Sequence, residues 1–192
     1  LDVADQPDGG LELLADEHDP EMRKRCMDLL AESAKSAADK LKFFRLAFGA
    51  AGGFGSEVDP MEAKAVIEPL VTSDGRTTLE WMVPAGLIPK RAVKILLNLV
   101  LIAKDALVRG GVLHVGAEFR DGEQEIVIRA VGPRIIMDRS IQDALTGNLA
   151  SSEIDSRTAA GWMVFGLAKQ NGGLVQIAGP SDEQMVIGAL VR

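Results

Sequence analysis

Cysteine occurs once in the sequence, at Cys26. An internal disulfide is therefore excluded, and a reducing, cytoplasmic setting is expected, with Cys26 serving as a small core residue. A membrane span needs about 18–20 consecutive apolar residues. The longest apolar run here, residues 95–103, is interrupted by Asn98 and stops at Lys104. Basic residues are not in excess either: 21 Lys and Arg stand against 28 Asp and Glu, a net charge of -7. That balance disfavours nucleic acid and anionic membranes as partners. The first residues carry no secretory signal pattern. The sequence opens at Leu1 and not at Met, and further residues are expected upstream.

What is present is enough for a sizeable core: 47% of the 192 residues are hydrophobic. Asp19 is a favourable N-cap and Pro20 a favourable first helical residue. From there Met22, Cys26, Leu29, Ser33, Ala37, Leu41, Phe44 and Phe48 recur every three or four positions. The spacing predicts one amphipathic helix of roughly 28 residues, too long to bury its apolar stripe without helical neighbours. Leu11, Leu13 and Leu14 mark the end of a preceding helix, and a short turn at residues 16–19 makes the two an antiparallel hairpin, half of a four-helix bundle that a second copy would complete. The glycines between Gly49 and Gly55 mark a linker. Beyond it the order α-β-α-β-β-α-α-β-β is expected. Helices are read at about 60–70, 89–108, 138–147 and 157–170, and strands at 76–83, 112–119, 125–131, 174–177 and 184–191. The predicted fold class is α+β, a mixed sheet with helices on one side. The expected domains are a hairpin at 1–49, a linker at 50–57 and a sandwich at 58–192.

Three segments of the second block resemble boxes of the histidine kinase ATP-binding domain. Leu96-Leu97-Asn98-Leu99-Val100-Leu101-Ile102-Ala103-Lys104, running on to Gly110-Gly111, is similar to the N box Leu-Leu-Asn-Leu-Leu-x-Asn-Ala-x-Lys. Ala130-Val131-Gly132-Pro133-Arg134 is similar to the glycine box Asp-x-Gly-x-Gly. Asn171-Gly172-Gly173 matches the entry into a late strand, and Thr158-Ala159-Ala160-Gly161 stand where a phosphate-cradling glycine loop belongs. The resemblance implies a degenerate ATP site. Magnesium needs hard oxygen ligands, and its Asn falls on Ile102. The adenine-binding Asp falls on Ala130. Gly132 is kept, while the second glycine falls on Arg134, whose bulk is expected to fill the space of close backbone approach.

The similarity narrows to the ChpT-type histidine phosphotransferases of alphaproteobacteria. It rests on Gly10-Leu11-Glu12-Leu13-Leu14, on Phe44-Arg45-Leu46-Ala47-Phe48-Gly49-Ala50, on Asp105-Ala106-Leu107 and on residues 130–133. It implies a homodimer with a four-helix bundle and two flanking ATPase-like domains that bind no ATP. No cofactor or metal is expected. A bundle histidine would take a phosphoryl group from the receiver domain of a hybrid histidine kinase and pass it to response regulators. In the family pattern that histidine falls just upstream of Leu1.

Two histidines lie within the sequence. His18, next to Asp19, is the fallback acceptor, although a turn is its expected setting; His114 is expected to be structural. Hairpin geometry places Ala38, Leu41, Lys42 and Arg45 beside the expected acceptor, where the two cations would neutralise phosphoryl charge and the alanine would admit a receiver helix. Three other functions fit the same elements: a docking or scaffold protein that binds receivers without transfer, an active kinase, and an ATPase-fold regulator of a sigma factor. The replacements at Ile102 and Ala130 argue against the kinase, and the long helix argues against the regulator.

Overall fold

A computed structural model describes residues 18–49, 56–120, 122–178, 181 and 183–192. The expected first helix end at 10–15 and residues 50–55 of the linker expected at 50–57 lie outside the described residues. Two compact units divide at Lys42 and Phe43. Helix α1, Pro20–Ala47, is 28 residues long. The Asp19 carboxylate accepts the Glu21 backbone N–H at 3.1 Å and so occupies one of the unpaired donors of the first turn. Along the part of α1 in the first unit, Met22, Met27, Leu29 and Leu41 are exposed.

The second unit carries the remaining elements. Strand β1 (Glu57–Val58) is followed by α2 (Pro60–Thr72), capped by the Asp59 carboxylate on the Met61 N–H at 2.8 Å. The four-residue rhythm of Ala63, Ile67 and Val71 buries one face of α2. Strands β2 (Thr77–Met82) and β3 (Ile88–Pro89) lead into α3 (Lys90–Ala106). Twelve of the seventeen residues of α3 are buried, so this helix is the centre of the core and not a surface element. Then follow β4 (Gly111–Arg120), β5 (Glu123–Val131), α4 (Arg139–Thr146), a single 3-10 turn at Ser151–Glu153, α5 (Ala159–Gln170), β6 (Leu174–Ala178) and β7 (Gln184–Val191).

The main sheet has the order β2-β4-β5-β7-β6. Strands β2 and β4 are parallel, as the α3 crossover between them requires, and all other pairs are antiparallel. Alternation sends Leu113, Val115 and Ala117, Ile126, Ile128 and Ala130, and Met185, Ile187 and Ala189 into the core. A separate two-stranded sheet pairs Glu57 with Pro89 and Val58 with Ile88. The α+β class and the strands read from the sequence are thus present. The small sheet was not foreseen, and it takes Pro89 out of the helix that had been expected to begin there.

Asp138 stands at the N-cap position of α4, yet its side chain makes no capping hydrogen bond. Its carboxylate instead accepts from the Arg157 guanidinium, joining the loop before α4 to the loop before α5. Ion pairing with a cation 19 residues away has displaced the local cap.

Candidate functional site

A cavity of about 600 Å³ opens in the second unit, within the size range of small-molecule sites. One wall is the C-terminal half of α3, which contributes Leu101, Ile102, Asp105 and Ala106. Ile136, Met137, Asp138 and Ile141, between β5 and the start of α4, form a second wall. Ser156, Arg157, Ala159 and Ala160, at the entry to α5, form a third. Phe44 and Phe48, at the end of α1, complete the lining, with their rings 5.8 Å apart.

Of the positions expected to mark a lost nucleotide site, Ile102 lies on this cavity, 8% exposed. A hydrocarbon stands where the N-box pattern has an amide. Ala130 is fully buried in the sheet, paired with Leu113 and Met185, and does not reach the cavity. Gly132 does not reach it either. A Cβ there would stand 2.5 Å from the Gly110 carbonyl oxygen and 2.8 Å from Leu107, so chain packing alone demands glycine. Arg134 is exposed and off the cavity lining. It does not fill the space of close backbone approach that the sequence had suggested, because the chain after Pro133 turns its side chain outward.

Continuing the N-box register to its last position, a lysine in the pattern, reaches Asp105. The charge there is reversed. Asp105 sits at the cavity edge, partly open to solvent, among enough apolar neighbours that loss of hydration pushes its carboxyl pKa up. Lys104 opposes this more weakly, and its own ammonium lies 3.8 Å from Asp74.

The entry to α5 is closed to phosphate by the chain itself. One carboxylate oxygen of Asp155 accepts the backbone N–H groups of Arg157 and Thr158 and the Thr158 hydroxyl, each at 2.9 Å. These bonds, those from Thr158 foremost, hold the Asp155 pKa below the usual carboxylate range. An internal anion thus takes donors of the kind that a glycine loop would offer a phosphate. With Ile102 in place of an oxygen ligand, Asp105 in place of a cation, and the α5 entry occupied by Asp155, these residues do not fit magnesium-bound ATP. Among the described residues, no group of three or more His, Cys, Asp or Glu is placed to hold a metal.

Outside the cavity, His18 is exposed just before α1. His114 lies on β4, with Nδ1 2.9 Å from the Glu80 carboxylate, an ordinary cross-strand pair. Ala38, Leu41, Lys42 and Arg45 are all exposed on α1. Lys42 lies 3.3 Å from Asp39.

The fold and the cavity together define an α+β sandwich with a largely hydrocarbon-lined cleft. Comparison with known proteins narrows this further. Residues 60–183 match the family model described as the histidine phosphotransferase C-terminal domain. The chain is 31% identical over 178 residues to the protein phosphotransferase ChpT of Brucella abortus, covering 91% of this chain and 81% of that protein. It belongs to the histidine phosphotransferase family. A solved bacterial phosphotransferase superposes with a TM-score of 0.79 at 29% identity, over 95% of this chain and 85% of its own. The Acinetobacter baumannii histidine kinase AdeS superposes at 0.52 with 12% identity, over 98% and 94% of the two chains, a likeness of fold alone. No helix among the described residues is long and apolar enough to cross a membrane.

Proposed function

We propose that this phosphotransferase relays a phosphoryl group between the receiver domain of a hybrid histidine kinase and response regulators, without using ATP, in the cytoplasm. Family membership supports phosphotransfer. The observation that carries the ATP-independent part is the lining of the kinase-type cleft: Ile102 faces the cavity and Asp155 occupies the donors at the α5 entry. On this reading phosphate must come from another phosphoprotein.

Residues 1–49 would form a hairpin, joined through a linker at 50–57 to the sandwich at 58–192, and two copies would assemble a four-helix bundle. The exposed Met22, Met27, Leu29 and Leu41 supply the apolar surface that such a dimer needs. The acceptor is the histidine that the family pattern sets before Leu1, with His18 as the alternative. Its imidazole nitrogen attacks the phosphorus of the receiver's aspartyl phosphate. A P–N bond forms as the P–O bond to the carboxylate breaks, and the transfer runs in reverse onto the next receiver. Little covalent work falls to the protein beyond positioning and charge neutralisation. Lys42 and Arg45 are suited to the latter.

Incubating the full-length protein with a radiolabelled phosphorylated receiver tests this reading. Label should move to an acid-labile phosphohistidine on the protein. Labelling directly from ATP, or no transfer from any phosphorylated receiver, would refute it.

A further inference from the structure

The cavity has a chemistry of its own beyond phosphotransfer. Its walls are largely hydrocarbon, from Phe44, Phe48, Ile102, Ile136 and Ile141. Two full charges of opposite sign, Asp138 and Arg157, are spent on each other. The remaining charge is the Asp105 carboxylate, which makes no hydrogen bond or close ion pair among the described residues. A site of about 600 Å³ with apolar walls and one uncommitted carboxylate at its edge is complementary to an apolar group bearing a positive charge.

We propose that the cleft is a binding site for small amphipathic amines, with the hydrocarbon part lodged between α3 and α4 and the ammonium group on Asp105. The aromatic rings of Phe44 and Phe48 favour the same ligand class, since an aromatic face attracts a cation. Anionic ligands meet the opposite: the Asp105 carboxylate repels them and Arg157 is held by Asp138. The cleft of a nucleotide-binding fold has in this way exchanged selectivity for an anion for selectivity for a cation.

Three matched probes test this on the full chain: phenethylamine, phenethyl alcohol and hydrocinnamate, titrated while the methyl resonances of Ile102, Ile136 and Ile141 are followed by NMR. The amine should shift these methyls and bind about tenfold more tightly than the alcohol, with hydrocinnamate weaker still, a tenfold step corresponding to about 1.4 kcal/mol. Asp105→Asn keeps size and shape at a partly exposed position. It should bring the amine down to the affinity of the alcohol and leave the alcohol unchanged. Equal affinities for the three probes, binding that leaves the cavity methyls unmoved, absence of binding, or an amine preference that survives Asp105→Asn would each overturn the proposal.

Discussion

The side-chain amide of Asn98, at the centre of α3, donates to the backbone carbonyl of Ala47, the last residue of α1, at 3.3 Å. The same nitrogen donates to the Lys94 carbonyl at 2.8 Å. Both Asn98 and Ala47 are fully buried. The last carbonyls of a helix have no partner within it, and water cannot reach this one, so Asn98 supplies the missing donor. A residue that looks like a nucleotide-box asparagine in the sequence is thus a helix cap acting across 51 positions.

Truncating it tests that role. Asn98→Ala leaves the Ala47 carbonyl buried without its partner, at a cost of about 1–3 kcal/mol. Urea denaturation should show a lower midpoint with little change in slope. Asn98→Leu, which fills the volume but donates nothing, should also be destabilised. A wild-type midpoint for Asn98→Leu would mean that the amide matters only as packing.

Restoring one ligand should not restore nucleotide binding. Ile102→Asn returns the N-box amide to the cavity wall, yet Asp105 and the occupied entry to α5 remain. Calorimetry with magnesium and ATP should show no binding. The variant should lose about 1–3 kcal/mol, because an 8% exposed isoleucine side chain is exchanged for a polar one. Measurable ATP affinity in this single variant would show that Ile102 alone, and not the whole lining, closes the site.

How far the sequence foretold this structure depended on the range of the forces involved. The rhythm of Ala63, Ile67 and Val71 and the alternation through Leu113, Val115 and Ala117 are local, so α2 and β4 could be read directly. The two-residue strands β1 and β3 are too short to carry a period. Ile102 was placed at the site by register with the N box, which runs along a regular helix and so keeps its spacing in the fold. Ala130, Gly132 and Arg134 were assigned to the same site by register with the glycine box, which runs from the end of β5 into the loop after it, and none of the three lines the cavity. The roles of Asn98, Asp105 and Asp155 were missed. For Asp105 a signal was there, since the N-box pattern carried three positions further ends on a lysine. Asn98 and Asp138 gave none, because their partners are fixed only by the tertiary fold.

The raised pKa of Asp105 has a consequence for stability. A carboxyl whose pKa is higher when folded binds more protons in the native state than in the unfolded one. Stability therefore falls as pH rises from the unfolded value, about 3.9, through the folded value, and the penalty is complete at neutral pH. Asp105→Asn removes it. The variant should melt higher than wild type at pH 7, and the gap should close below about pH 4. A gap that is the same at both pH values would trace it to packing and not to charge. Asp74 has the opposite sign. Its pKa is lowered, chiefly by the Arg76 backbone N–H, so its contribution is present above the unfolded value and is lost on acidification.

Receiver transfer should depend on the cations of α1. Lys42 and Arg45 are exposed, and on the proposed reading they face a phosphoryl group carrying close to two negative charges and an acidic receiver surface. Arg45→Glu replaces attraction with repulsion, and like charges brought together cost more than a lost contact. The rate of label transfer from a phosphorylated receiver should fall by about tenfold or more, about 1.4 kcal/mol, with the steepest loss at low salt, where screening is weakest. Arg45→Lys should retain most of the rate, because the charge is kept. Helix content and oligomeric state should match wild type in both variants, by circular dichroism and sedimentation. A folded Arg45→Glu protein that transfers at the wild-type rate at low ionic strength would remove α1 from the docking surface and move the search for it elsewhere on the chain.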